Sequence, residues 1–312
     1  MIMSTAAPPP DALACAAPPA APPPEILARV LAVATAAARD AGALILAARG
    51  GAAVDAEKSG FQDLVTVTDT ACERAIVARV KESFPGHAIL AEESVAPGRA
   101  AAAAAVAAVA GAEWCWVIDP IDGTTNFVCG IPLSVVSIGV AFHGRVVAAV
   151  VFEPFRDELF AAARGGGATL NGAPLRVARA PLRACVLGFG THNSPRIGHA
   201  MLRAAAPFVD AARGLRALGS AAAALAYVAA GRLGGYFEQD LSAWDVAAGA
   251  LLIEEAGGRV TDMRGGGFSL ATRDILGTCG GDAHDEALAL LAGAKANSSD
   301  ETHAAADAAA RA

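Results

Sequence analysis

The residues best placed to do chemistry lie in one short run, Asp119-Pro120-Ile121-Asp122-Gly123-Thr124-Thr125-Asn126. The apolar run Trp116-Val117-Ile118 precedes it, so Asp119 stands at the C-terminal mouth of a buried strand. Pro120 removes a ladder donor, and Asp122 comes round three positions after Asp119. Gly123 permits a tight turn, after which Thr124 can open a helix. Two carboxylates converging with backbone N–H groups suit a hard divalent cation that bridges protein to phosphate. Mg²⁺ takes a few carboxylates and fills its shell with substrate oxygens and water. Asp-Pro and Asp-Gly are each ordinary turn dipeptides. Both together, behind a buried strand and ahead of two threonines, favour the metal reading.

Three further segments place acids at the edge of a regular element. Glu92-Glu93 ends the strand Ile89-Leu90-Ala91, a pair that alone would read as a solvated loop start. Asp245, in Trp244-Asp245-Val246-Ala247-Ala248-Gly249, lies just inside a helix whose small residues allow close packing. As an N-terminal Asp it could be only a cap, so its two readings weigh equally. Asp63 and Asp69 flank an alternating strand in Lys58–Asp69, by itself an ordinary polar-ended strand.

The elements that must position these acids alternate along the chain. Helices are expected over Glu25–Arg49 and Thr70–Phe84, the second stopped by Pro85-Gly86. A short strand, Trp114–Asp119, follows. The middle reads as a meander of Ser134–Phe142, Arg145–Glu153 and Glu158–Ala162, followed by a loop punctuated by Gly165-Gly166-Gly167 and Asn171-Gly172. Strands are expected at Cys185–Phe189, Gly235–Glu238 and Arg259–Thr261. Helices are expected at Ser194–Ala206, Ser220–Gly231, Ala243–Ala256 and Asp285–Ala292. The pattern implies an α/β (α+β) fold with two packed sheets covered by helices. The organisation expected is a Pro/Ala tail over 1–24, a unit over 25–295 divided near 180, and a polar tail over 296–312.

Composition narrows the class. The chain has 312 residues, with 24 Lys and Arg against 31 Asp and Glu. That acidic balance, without a basic cluster, argues against a nucleic-acid partner held by charge. Despite a mean hydropathy of +0.44, no uninterrupted apolar run reaches the ~18–20 residues that span a bilayer, so no membrane partner is expected. The longest run is Ala100–Ala112. Six cysteines without a C-x-x-C pair read as reduced thiols, and a cytoplasmic location follows. His87, His143, His192 and His199 read as solvated turn residues.

Together these segments resemble the inositol monophosphatase family of lithium-sensitive, Mg²⁺-dependent phosphatases. Asp119–Phe127 (DPIDGTTNF) looks like its first signature and Trp244–Gly249 (WDVAAG) like its second, with Ala91–Ser94 and Asp63–Asp69 in the expected order. The resemblance covers 25–295 and implies a layered α-β-α-β-α sandwich, shared with fructose-1,6-bisphosphatase. It implies two or three Mg²⁺ ions. Glu92, Asp119 and the Ile121 carbonyl would hold the first, Asp119, Asp122 and Asp245 the second, and a third would lie near Glu92. Thr124 with Glu92 would orient the attacking water, and Gly123 and Thr124 amides would meet the phosphate beside Asp122. Lys58, Asp63 and Asp69 would belong to a segment closing over the site. Thr191, Gly219, Ser220, Ala221 and Glu238 would line the pocket for a small phosphorylated polyol. The implied activity is hydrolysis of myo-inositol monophosphate, with histidinol phosphate or another small phosphomonoester as the alternative. A non-catalytic scaffold ranks below both, because all four side-chain ligands are present. A homodimer and inhibition by Li⁺ are implied as well. Ala91 and Cys129 depart from the family pattern, and the departure concerns rim contacts rather than chemistry.

Overall fold

Apolar residues at helical spacing bury one stripe of α1 (Pro24–Ala47): Val30, Ala34, Ala37, Ala38, Ala41 and Ile45 are fully enclosed. A computed structural model describes residues 21–49, 54–60, 63–191 and 194–294, with 54–60 and 63 described by backbone alone. Of the two expected tails only 21–24 fall among them. By length and composition α1 could cross a membrane, yet its buried stripe packs under a sheet. On its outer side Arg39 pairs with Asp157, and Asp40 pairs with Arg79.

Strands β1 (Val54–Gly60) and β2 (Asp63–Thr66) form an antiparallel ribbon. The alternation expected to run to Asp69 stops at Thr66. There a capping box with Asp69 opens α2 (Val67–Ser83), so Asp69 lies on a helix rather than at a strand end. Next come β3 (Ala88–Ala91), a 3₁₀ turn (Glu92–Ser94), α3 (Arg99–Val109), β4 (Trp114–Asp122) and the short α4 (Thr124–Val128). The meander β5 (Val135–Phe142), β6 (Arg145–Glu153) and β7 (Glu158–Ala163) continues into β8 (Gly167–Leu170) and β9 (Ala173–Leu175). The glycine-rich stretch expected to be loop is therefore two more strands, with Gly165, Gly167, Asn171 and Gly172 in the left-handed region. These strands form one seven-stranded sheet in the order β3 to β9, antiparallel except for β3 with β4.

The rest comprises β10 (Val186–Phe189), α5 (Pro195–Ala205), α6 (Phe208–Ala211), β11 (Gly214–Arg216), α7 (Ala221–Ala229), β12 (Gly235–Gln239), α8 (Ala243–Glu255), β13 (Arg259–Thr261), β14 (Asp274–Thr278) and a helix over 282–294. Its strands make a five-stranded sheet in the order β11-β10-β12-β14-β13. Elements α6, β11 and β14, absent from the expectation, are short and take shape from their neighbours rather than from local pattern.

Strand alternation sorts β4 between two cores. Trp114, Trp116 and Ile118 pack with α1 and α2, while Cys115 and Val117 face α7 and α8. The other face of α7 and α8 meets Tyr236, Val260 and Ile275 of the five-stranded sheet. Beyond that sheet, Leu187, Phe237 and Leu276 pack with α5, α6 and the last helix. Five layers result, α-β-α-β-α, with α7 and α8 as the central one.

One histidine departs from the solvated reading. His87 stacks between Phe84 and Trp114, at ring separations of 4.6 and 5.3 Å, and its Nδ1 accepts from the Trp116 indole at 3.0 Å. Its pKa is lowered by burial. His199 lies exposed on α5, His143 is at an exposed left-handed turn, and His192 lies outside the described residues.

The central layer tolerates no extra volume. A Cβ on Gly249 would stand 2.5 Å from the Leu225 Cβ, between α8 and α7. Gly249→Val should therefore cost about 1–3 kcal/mol in urea denaturation. Gly111→Ala, where the added atom meets nothing within 4 Å, should change stability by less than about 0.5 kcal/mol. Equal effects of the two substitutions would contradict this packing.

Candidate active site

The ladder between β4 and β5 pairs Asp119 with Ser137 and Asp122 with Val135, so β4 carries one extra residue between them. Pro120, which cannot donate, sits in this bulge. The freed Ile121 N–H turns back and donates to Asp119 Oδ1 at 3.0 Å. The bulge aims both aspartates into one cleft. Asp119 also follows Cys115 and Val117 in the alternation, which puts it on the α8 side of the sheet.

Asp122 closes β4, and Asp245 and Glu92 each stand near the start of an element of their own. Asp122 meets the start of α7, where Ser220 Oγ donates to Oδ2 at 2.7 Å and the Ala222 amide donates to the same oxygen at 2.5 Å. Asp245 occupies the third position of α8 in a capping box with Ser242, whose N–H donates to Asp245 Oδ2 at 2.7 Å. Glu92 opens the 3₁₀ turn. Buried Glu73 of α2 holds that turn by accepting from the Glu93 N–H at 2.7 Å and the Ser94 hydroxyl at 2.6 Å.

Glu92, Asp119, Ile121, Asp122 and Asp245 all line one cleft of about 340 Å³, with Gly123, Thr124, Thr191, Gly219, Ser220, Ala221 and Glu238 around it. Leu64 of β2 also reaches this cleft. The side chains of Lys58 and Asp63 lie outside the described residues. Asp69 is brought in more closely than a covering segment would require: it is 1% exposed, and the Thr124 hydroxyl lies 3.2 Å from its Oδ1 and 3.0 Å from the Ile121 carbonyl oxygen. Its other oxygen accepts from the Thr66 N–H and hydroxyl. Ser220 is buried and bonds a carboxylate, so it acts on Asp122 before it could act on a sugar.

Several positioning residues carried no local signal. Asn126 donates to the carbonyls of Leu133 and Leu218, stapling α4 to two loops. Ser134 donates to the Gly123 carbonyl, and Ser137 to that of Trp244. Tyr236 donates to Glu238 Oε2, and Gly190 leaves room for that carboxylate, since a Cβ there would overlap it. The Thr66-x-x-Asp69 pattern of a capping box was the one legible clue to the place of Asp69.

Burial pushes the Asp119 carboxyl well above the usual range, and the charges of Glu92, Asp122 and Asp245 raise it further. Asp245 is raised by burial and then by Glu92 and Asp122. Asp122 rises to about 6 by burial, against the opposing pull of Ser220 and Ala222. Among the described residues, no three His, Cys, Asp or Glu side chains are already closed into an ion-holding group. The acids instead share an open cleft and repel one another. An all-oxygen donor set with unneutralised buried charge fits a hard divalent cation.

The sequence matches the inositol monophosphatase family over residues 26–296. The chain belongs to this family. It is 42% identical to an inositol-1-monophosphatase of Rhizobium meliloti over 231 residues, 73% of this chain and 82% of that protein. It is also 42% identical to the Nus factor SuhB of Pseudomonas aeruginosa over 241 residues, 76% of this chain and 86% of that one. The solved inositol monophosphatase of Anabaena superposes with a TM-score of 0.71 at 36% identity, covering 85% of this chain and 96% of that one. The five layers are those of an inositol monophosphatase fold, and family membership supports phosphatase activity.

The raised carboxyls predict a pH-dependent response to metal. Without metal, ionised Asp122 is disfavoured in the fold, so its cost grows as pH rises from the unfolded value near 3.8 through about 6. Mg²⁺ should therefore raise the melting temperature by several degrees at pH 8 and by less at pH 5, where protons compete. A thermal shift that is absent, or equal at both pH values, would contradict the site.

Proposed function

We propose that the chain hydrolyses a phosphate monoester, with myo-inositol monophosphate as its substrate, by attack of a metal-activated water on phosphorus. What supports this reading is the arrival of Glu92, Asp119, Asp122 and Asp245 from three elements, the 3₁₀ turn, β4 and α8, at one cleft. In it, Glu92, Asp119 and the Ile121 carbonyl would hold one Mg²⁺, and Asp119 with Asp122 and Asp245 would hold a second, with Glu92 available to a third. When bound, Mg²⁺ lowers the pKa of water and polarises the ester oxygen.

The chain's own groups orient the reactants. The Thr124 hydroxyl has one proton to give, to Asp69 or to the Ile121 carbonyl. Its lone pairs can then accept from a water and fix its direction, while Asp69 stands behind as proton acceptor. Glu92 holds the other side of that water. Gly123 and Thr124, at a helix start that no side chain caps, offer amides to the phosphate. The P–O bond to the alcohol breaks opposite the water. Glu238, fixed by Tyr236, accepts hydrogen bonds from the polyol hydroxyls, with Thr191, Gly219 and Ala221 beside it.

A cytoplasmic homodimer sensitive to Li⁺ belongs to the same reading. Relatives named Nus factor SuhB favour weighing a role that needs no turnover. The intact set of acids supports the enzyme.

Asp119→Asn decides between these. Turnover of inositol 1-phosphate should fall at least ~100-fold, while the metal-free protein keeps its stability or gains some, because one of the repelling charges is gone. Turnover retained in Asp119→Asn would refute the shared ligand. Against histidinol phosphate, kcat/KM should favour inositol 1-phosphate by about tenfold or more; the reverse order would overturn the substrate assignment.

A further inference from the structure

Beyond the acids, the cleft mouth carries two arginines from opposite sides, Arg99 and Arg273, meeting one carboxylate, Asp240. Arg273 Nε donates to Asp240 Oδ1 at 2.7 Å and its Nη2 to the Asp240 carbonyl at 3.1 Å, with both side chains largely buried. Arg99 Nε lies 3.7 Å from the same Oδ1, and its side chain is 69% exposed. Arg273 therefore holds Asp240 firmly, while Arg99 is a loosely kept third member. An exposed pair of that length is weak and easily exchanged for another anion.

Two local features go against ordinary preference. Asp240 has φ +64°, in the left-handed region that favours glycine. A glycine there would relieve the backbone but could not present a carboxylate to either arginine. Arg99 is the first residue of α3, whose first turn has no acid, and a cation at a helix N-terminus opposes the dipole. Both residues line the cleft, Arg99 on the α3 side and Asp240 after β12. Asp240 follows Glu238 by two residues, and Glu238 is the carboxylate assigned to the polyol hydroxyls, so the pair lies towards the alcohol portion of a substrate.

We propose that Arg99, held over the cleft mouth by the Asp240–Arg273 pair, is a specificity residue that binds a second anionic group on the alcohol portion of the substrate. The chain then acts on phosphate monoesters that bear a further carboxylate or phosphate, in addition to neutral polyol phosphates. This rests on the phosphatase reading of the same cleft. Outside the four metal acids, Glu238 and Asp240 balance Arg99 and Arg273 in the cleft lining, so the attraction for such a group is local to the exposed Arg99 guanidinium. Arg99 can meet it with paired N–H donors.

Matched substrates test it. Sorbitol 6-phosphate, 6-phosphogluconate and sorbitol 1,6-bisphosphate share one carbon skeleton and differ in the group at the far end. With the full chain and Mg²⁺, Arg99→Ala should raise KM for the two anionic compounds about 5–10-fold more than for sorbitol 6-phosphate. Arg99→Lys should restore most of that difference, and high salt should shrink it in the unmutated chain. Comparing the carboxylate with the phosphate arm identifies the preferred anion. A merely structural bridge would move all three KM values together, and that result overturns the proposal. So does an unmutated chain that cleaves sorbitol 6-phosphate but neither anionic compound. If inositol 1-phosphate and all three hexitol compounds go uncleaved, the phosphatase reading itself falls.

Discussion

Concentrated negative charge is the constraint on which the arrangement turns. Asp119, Asp122 and Asp245 are held in one cleft beside Glu92, and burial, with added repulsion from neighbouring acids, raises all three carboxyls. Such a group is unfavourable by itself. The surrounding fold keeps it in place by giving each aspartate a rigid backbone donor: Ile121 for Asp119, Ala222 for Asp122 and Ser242 for Asp245. No arginine or lysine among the described residues forms an ion pair with any of the three. Among the described residues nothing neutralises them, which fits a cation-dependent site.

The layered architecture follows from that need. Acids on a single sheet edge would diverge with the strand twist. Here β4 ends against the starts of α7 and α8, so one sheet and two helix N-termini contribute to the same cleft. Favourable helix-dipole ends face two of the carboxylates. The close approach of α7 and α8 depends on alanine and glycine along both, including Gly249 against Leu225. The alanine-rich composition, which looks like a poor core at first reading, is what lets a helical layer fit between two sheets. Asp69 reaches the site in a comparable way, from the first turn of α2, where its capping box with Thr66 leaves one oxygen to Thr124.

Much of this was legible along the chain. The bulge at Pro120, the small-residue face after Asp245 and the long amphipathic α1 each follow from residue type and spacing, and the five layers follow from the family signatures. What the sequence did not disclose was chiefly long-range. Nothing near Glu73 says that it will hold the turn carrying Glu92, and nothing near Ser220 says that its hydroxyl will meet an aspartate almost a hundred positions earlier. The strands β8 and β9 hide behind glycines that read as loop but serve as hairpin turns. His87 was misread because Phe84, Trp114 and Trp116 enclose it only once α2 and β4 are packed together.

The central claim is that four acids from three elements jointly hold divalent cations. Anomalous diffraction from crystals of the protein grown with Mn²⁺ tests it most directly. The account predicts at least two strong peaks in the cleft, with Asp119 oxygens within ligand distance of both and Glu92, Asp122 and Asp245 completing them. Peaks confined to other surfaces, or a cleft without density at saturating metal, would contradict it.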